Sequence, residues 1–290
     1  MRLQTYLPKS LKGMGKQSSN KKKKSAKAKL PEFDKYHYYK LSVQSPEADV
    51  EFIRDMYREL RDGKSAQSLR EDFCGTFSIC CEWVKLDPKH RAVGVDLDPE
   101  PLEYGFQHNY SQLSEGQKKR LQVLQKNVLD SDLPSVDVIA AMNFSYFIFK
   151  QRQQLKNYFS SCFERLNKNG LFLVDCFGGG HCTEANEEET EHKGFSYFWD
   201  QDSFDPVSNE AMFYIHFKRK GEKKREKVFS YDWRMWGIPE LRDLMAEVGF
   251  KKTHVYWEGT DKNGEGDGVF TRTETGEECQ AWVAYVVGEK

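Results

Sequence analysis

Residues 68–98 read SLREDFCGTFSICCEWVKLDPKHRAVGVDLD. Ser68 to Asp72 has the composition of a strand that ends in two acids, Glu71 and Asp72, and Cys74-Gly75 follows as a tight turn. A helix with Ile79, Trp83 and Val84 comes next, and then a second strand, Ala92 to Val95, which ends at Asp96. Strand, helix and strand in so short a run make a βαβ unit, the building block of a parallel sheet. Ligands of such sheets lie at the carboxyl ends of the strands. Gly75 lets backbone approach a ligand closely, and Asp96 offers two acceptor oxygens to a pair of vicinal hydroxyls. The unit reads as a pocket for a ribose-bearing ligand.

Outward from it the same pattern continues. Upstream, the aromatic run Phe33 to Tyr39 precedes a helix that opens at Ser45-Pro46 and carries Val50, Ile53, Tyr57 and Leu60 at helical spacing until Gly63. The aromatic run either lids a pocket or covers a sheet edge. Downstream, Asp98-Pro99 restarts a helix, and Leu121 to Leu124 is a short strand that leads into Asn127-Val128. Val136 to Met142 is an unbroken apolar run of the kind expected for a central strand buried on both faces, and it ends at Asn143. A helix from Gln151 to Leu166 and a strand from Leu171 to Cys176 follow, with Asn169-Gly170 between them as a stop. The crossover between the third and fourth strands lacks a helix. About residues 181–236 form an insertion with two alternating segments, Met212 to Lys218 and Val228 to Trp233, joined by a basic tip at 218–227. A helix from Ile238 to Gly249 and two strands, Thr253 to Trp257 and Gln280 to Val287, close the chain. The expected fold is α/β: a doubly wound, mostly parallel seven-stranded sheet with an antiparallel terminal hairpin and an inserted hairpin.

Composition sets bounds on function. At 290 residues the chain can bury a large core, and no apolar run approaches the ~20 residues that span a bilayer. Residues 1–31 hold ten Lys or Arg and no acid, which leaves 34 basic against 45 acidic residues in the rest. The basic leader cannot bury enough apolar surface to order itself, so residues 1–31 are expected to be disordered and residues 32–290 to form the folded domain. The leader suits a nuclear or organellar address or a nucleic-acid contact. The seven cysteines lack paired spacing, so they predict no metal site and no disulfide framework, and point to a reducing, cytoplasmic compartment.

The four strand ends, Glu71 with Gly75, Asp96 with Leu97, Asn127 with Val128, and Asn143, aim at one place. A dinucleotide needs its pyrophosphate cradled by a turn with three glycines, of which only Gly75 is present. EDFCGTF (71–77) resembles the first motif of the class I S-adenosylmethionine (SAM)-dependent methyltransferases: an acid, then three glycines at alternate positions. Glu71 takes the acid position and Gly75 the middle glycine, while Phe73 and Phe77 replace the outer two. GVDLDPEPLEYG (94–105) resembles the second motif, and KNVLDSDLPSVDVI (126–139) the third and fourth. The resemblance runs from about residue 40 to residue 290. It implies SAM as cofactor, bound by Glu71, Gly75, Asp96, Leu97, Asn127, Val128 and Asn143.

For the acceptor, NFSY (143–146) resembles the strand end of amine-modifying methyltransferases without their prolines. Tyr146, Trp233, Arg234 and Trp236 are substrate candidates, within an aromatic set that also includes Phe195, Tyr197, Phe198, Trp199 and Tyr231. Tyr146, His181, Asp175 and His216 are the candidate bases. The expected reaction is methyl transfer to a small molecule. The alternatives are an RNA or protein acceptor gripped by the leader and the 218–227 tip, and a SAM-fold binding subunit without catalysis.

Overall fold

The structure is a computed structural model that describes residues 30–290 apart from 263 and 265. Most of the predicted leader, residues 1–29, lies outside the described residues.

The chain begins with α1 (Lys35–Val43) and α2 (Pro46–Leu60), which lead into β1 (Ser68–Asp72), α3 (Ser78–Leu86) and β2 (Arg91–Asp96). Next come α4 (Pro99–His108), α5 (Glu115–Lys118), β3 (Leu121–Gln125), β4 (Val136–Ala141), α6 (Arg152–Arg165) and β5 (Leu166–Gly178). The insertion supplies β6 (Asn186–His192), β7 (Phe195–Asp205), β8 (Glu210–Arg219) and β9 (Arg225–Arg234). The chain then completes the main sheet through α7 (Ile238–Val248), β10 (Lys252–Thr260), β11 (Gly266–Thr273) and β12 (Trp282–Glu289).

The main sheet has eight strands in the order β11-β10-β12-β5-β4-β1-β2-β3. β1 to β5 are mutually parallel, and β12 inserts antiparallel between β5 and β10. The expected seven strands are present, with β11 added at the edge. Because β1 pairs with β2 on one side and β4 on the other, the winding reverses between β1 and β4, and a crevice opens at their carboxyl ends.

Alternation along the central strands explains the two-layer core. Val138 and Ala140 of β4, Leu171 and Leu173 of β5, and Tyr285 and Val287 of β12 pack with Ile53, Trp83 and their neighbours on α2 and α3. Ile139, Ala141, Phe172, Val174, Ala284 and Val286 face the opposite way, toward α6, α7 and the inserted sheet. Both faces of each strand are covered, which is why their sequences are continuously apolar.

The inserted hairpin is the second half of a four-stranded antiparallel sheet, β6-β7-β8-β9. Phe195, Tyr197 and Trp199 of β7 and Phe213, Ile215 and Phe217 of β8 point to one side with a period of two, and join the core of the main sheet. β6, NEEETEH, has no apolar alternation to reveal it, since it is an edge strand held by backbone pairing to β7.

Local signals set several boundaries. Asp98 caps α4 through the Glu100 N–H, and the Glu240 carboxylate accepts from the Gly237 N–H at the start of α7. Gly249 ends α7 at φ 119°. Asp34 caps the unpredicted α1 through the His37 N–H.

Candidate functional site

Two clefts adjoin at the crevice. The first, with an empty volume of about 900 Å³ including its open mouth, is floored by residues 71–76 and walled by Tyr36, Tyr39, Asp96, Met142, Asn143 and Tyr231. Its turn departs from the sequence expectation in an informative way. Phe73, Gly75 and Phe77 have φ of 56°, 50° and 46°, so all three sites hold the left-handed backbone that glycine favours. For a phenylalanine that geometry costs about 1–2 kcal/mol, and packing has to offset it. The Phe77 ring is fully buried beneath α4, where Gly105 lies so close that a Cβ on it would stand 2.4 Å from Phe77 Cε1 and 2.6 Å from the Thr76 carbonyl oxygen. A Cβ on Gly94 would likewise stand 3.0 Å from Cys74 Sγ. The space that glycine leaves in the usual motif is here supplied by Gly94 and Gly105.

Asp96 ties the turn to β2. Its Oδ2 accepts from the Gly75 N–H at 2.7 Å and its Oδ1 from the Asp98 N–H at 2.9 Å. A carboxylate has about four lone-pair sites, so each oxygen keeps one for a ligand hydroxyl. Burial raises the pKa of Asp96. Glu71 is buried, and its Oε2 accepts from the Cys80 N–H at 2.9 Å; burial pushes its pKa up to about 8. Behind it, Arg70 and Asp72 form a fully buried, two-bond ion pair at 2.8 and 2.9 Å, and the Tyr158 hydroxyl donates to Asp72 at 2.9 Å.

At the end of β4, Asn143 and Phe144 both adopt left-handed backbone, with φ of 58° and 57°. Their N–H groups donate to the two oxygens of Asp175 at 2.6 and 2.8 Å. Asp175 is buried, which pushes its pKa up to about 7. Glu71, Gly75, Asp96 and Asn143 therefore meet in one cleft. Leu97, Asn127 and Val128 do not line it: Leu97 is exposed, Val128 packs in the core, and the Asn127 side chain accepts from the Leu129 N–H as a turn residue.

The second cleft, of about 840 Å³ including its mouth, shares Tyr39, Met142, Asn143 and Tyr231 with the first. Tyr197, Trp199, Tyr231 and Trp233 of the inserted sheet wall it, so the predicted aromatic set does contribute to a cavity. Rings of Tyr231 and Trp233 lie 4.4 Å apart, with Trp199 6.2 and 6.4 Å from each. Asp49 of α2, Asp175 and Glu258 of β10 supply three carboxylates to the lining, which contains no Lys, Arg or His. Burial pushes the Glu258 pKa up to about 7. The pKa of Asp49 is well above the usual range, first through burial and then through Asp175 and Glu71. α1 arches over both clefts: Tyr39 lines each, Tyr36 lines the first, and Tyr38 packs against Phe195 at 4.8 Å.

The remaining predicted residues lie elsewhere. Tyr146 is fully buried and its hydroxyl donates to the Asp175 carbonyl at 2.7 Å. His181 is exposed on a 3-10 turn after β5 and lines neither cleft. His216 faces away from the cavity, with Nε2 2.9 Å from Asp200 and Nδ1 accepting the Lys227 N–H at 2.7 Å. Trp236 is buried and donates to the Phe149 carbonyl at 3.1 Å. Arg234 stacks on Trp236 at 3.8 Å and donates to the Lys150 carbonyl and Glu240. Of the four candidate bases only Asp175 lines the cavity. Asp49 and Glu258 gave no sequence signal: an acid in the first turn of a helix reads as a partner of the helix dipole, and one just past the expected end of a strand as a solvated side chain.

The sequence matches no family model and no curated protein. Solved structures match over most of the chain. A SAM-dependent methyltransferase from Clostridium acetobutylicum superposes with a TM-score of 0.63 at 16% identity, over 87% of this chain and 96% of its own. The main sheet is that of the class I methyltransferase fold. An amino pentose methyltransferase from Micromonospora echinaspora gives a TM-score of 0.62 at 11% identity, over 91% of this chain and 100% of its own. A sugar N-methyltransferase from Streptoalloteichus gives 0.60 at 17%, over 95% and 99%. The antiparallel β12, which sets this fold apart from dinucleotide-binding sheets, has its counterpart in the sequence as the terminal hairpin.

Proposed function

We propose that the protein is an enzyme that transfers the methyl group of SAM to a small-molecule acceptor. The observation that carries this reading is the pair of clefts sharing Tyr39, Met142, Asn143 and Tyr231 at the point where the sheet winding reverses. The first cleft fits SAM: Asp96 keeps free lone pairs for ribose hydroxyls, and Gly75, with nothing within 4 Å of a Cβ position, leaves its backbone open to a ligand. It does not suit a pyrophosphate, since Asp96 and Asp98 line it and its one lysine, Lys35, is paired with Glu100 at 2.6 Å. SAM, when bound, supplies a methyl group on a positively charged sulfur. The chain's part is to orient the acceptor along the shared wall and exclude water, and positioning of this kind is worth about 7–11 kcal/mol.

The sugar and amino pentose methyltransferases among the similar structures support a small acceptor. The seven cysteines, six of them buried and none in a disulfide, support a reducing cytoplasmic location.

Calorimetry with SAM and its product S-adenosylhomocysteine (SAH), together with the thermal midpoint, tests the cofactor. A ligand that binds only the folded state raises the midpoint, so no shift at millimolar ligand refutes the reading. Methyl-labelled SAM added to a cell extract split into small-molecule, RNA and protein fractions tests the acceptor. Label is expected in the small-molecule fraction. Label confined to RNA or protein, or SAH binding without any transfer, moves the function to one of the alternatives.

A further inference from the structure

We propose that the acceptor is an amine which enters the second cleft as its ammonium ion, stands against Tyr197, Trp199, Tyr231 and Trp233, and pairs with the carboxylate of Asp49. This rests on the methyltransferase reading and names the substrate class of the same site.

Three acids and no basic residue line the cavity, and Glu71 stands just beyond the shared wall in the cofactor cleft. Carboxylates taken from water without a partner are costly, and proteins normally pair them. Two of the three have partners within the fold. Both oxygens of Asp175 hold the 143–144 turn, and Glu258 Oε1 accepts from the Gly268 N–H at 3.1 Å. Asp49 is different: it lines the cavity, and its carboxylate has no hydrogen bond or ion pair among the described residues. An incoming cation supplies the missing partner. A carboxylate or phosphate entering the same space would meet acids and no cation.

The wall supports the same choice. Trp and Tyr faces attract cations and flat apolar groups alike, and Tyr231, Trp233 and Trp199 form a contiguous surface with ring centroids 4.4 to 6.4 Å apart. An organic ammonium brings positive charge to carboxylate and ring faces together, whereas a neutral alcohol offers the carboxylate a single uncharged hydrogen bond and the rings no cation.

The position of Asp49 also gives it a chemical role. An ammonium has no lone pair and cannot attack. Its proton passes to Asp49, and the lone pair left on nitrogen forms the new N–C bond. The C–S bond of the sulfonium breaks, and its electron pair stays on sulfur. The product leaves as a methylammonium, and Asp49 returns its proton to water. Asp175, fixed by two backbone donors, is a positioning residue: it shapes Asn143 on the wall between the clefts.

The test is binding of phenethylammonium to the full chain in the presence of saturating SAH, read by quenching of tryptophan fluorescence and by calorimetry. Phenethyl alcohol and phenylacetate serve as matched probes of other charge. The ammonium is expected to bind at least tenfold more tightly than the alcohol, and phenylacetate more weakly than either. In Asp49→Asn that preference is expected to vanish while SAH affinity stays within threefold of the unmodified protein. Equal binding of ammonium and alcohol in the unmodified protein overturns the proposal without any variant, and so does a preference that survives Asp49→Asn. Failure of SAH itself to bind overturns the methyltransferase reading, and the amine proposal with it. SAH binding without ammonium selectivity overturns the amine proposal alone.

Discussion

Replacing Gly105 with alanine separates ordinary helix behaviour from the packing argued for the cofactor turn. Gly105 lies inside α4, where glycine to alanine normally stabilises a helix by about 1 kcal/mol. Here the added methyl would stand 2.4 and 2.8 Å from two ring atoms of Phe77 and 2.6 Å from the carbonyl oxygen of Thr76. Neither neighbour yields easily. The ring is fully buried, and the carbonyl belongs to the turn that presents Gly75 to Asp96. Overpacking of this sort costs about 1–3 kcal/mol; at these distances the upper half applies, so the net effect is destabilisation by about 1–2 kcal/mol. Because the strain falls on residues 76 and 77, SAH affinity should fall as well. Urea unfolding of the variant measures the first effect, and calorimetry the second. A cycle with Phe77→Gly, which removes the ring and relaxes the left-handed site, should show a coupling of about 1 kcal/mol, within the range for residues in contact. If Gly105→Ala stabilises the protein, or weakens stability without any coupling to residue 77, then glycine at 105 does not compensate for phenylalanine at 77.

Asp96→Ala removes acceptors for ribose hydroxyls and for the Gly75 N–H, and should weaken SAH binding by about 1.5–3 kcal/mol, the worth of hydrogen bonds to a charged group; unchanged affinity in calorimetry would place the ribose elsewhere. Asp175→Asn leaves one of the Asn143 and Phe144 donors without an acceptor, and should cost about 1–3 kcal/mol of stability, read as a lower urea midpoint. The raised carboxylates, Glu71 at about 8 and Asp175 at about 7, hold protons more tightly folded than unfolded. Stability should therefore fall as pH rises from the usual carboxylate range near 4.5 to about 8, the unfolded state binding fewer protons there. In Glu71→Gln the decline should flatten between pH 6 and about 8; an identical slope in urea melts would remove Glu71 from that account.

The sequence carried the main sheet because burial on both faces leaves an unmistakable record in β4 and β5, and because Gly75, Asp96 and Asn143 sit where those strands stop. Elements without an apolar alternation left none. β6 has four Glu in seven residues and β11 lies in a glycine- and acid-rich stretch, yet both complete sheets at their edges. α1 was hidden for another reason: its tyrosines point to several sides, to the two clefts and to the inserted sheet, so no single stripe forms. The missing glycines of the first motif were visible, but what replaced them was not. Gly105 lies 28 positions beyond Phe77, and only the fold reveals that the two share one space. Asp49 and Glu258 come from elements far apart in the chain, and a charge facing a cavity is spelled like any surface charge.

Those two acids, with Asp175, bear on an electrostatic difficulty that any amine acceptor brings. A sulfonium methyl and an ammonium must come together although both are positive. At about 4 Å and an effective dielectric constant near 20, the repulsion between two unit charges is about 4 kcal/mol. The Asp49 carboxylate, once paired with the ammonium, offsets it before any proton moves. Once Asp49 has taken the proton, the acceptor is neutral and the repulsion is gone. After transfer the sulfur is neutral and the positive charge sits on the methylated nitrogen, still among the same acids and rings. Charge thus migrates from the cofactor cleft to the acceptor cavity, toward the side on which the fold has placed its unpaired carboxylate. A neutral hydroxyl acceptor brings no charge for that carboxylate to offset, which is why the ammonium and alcohol probes divide the two cases.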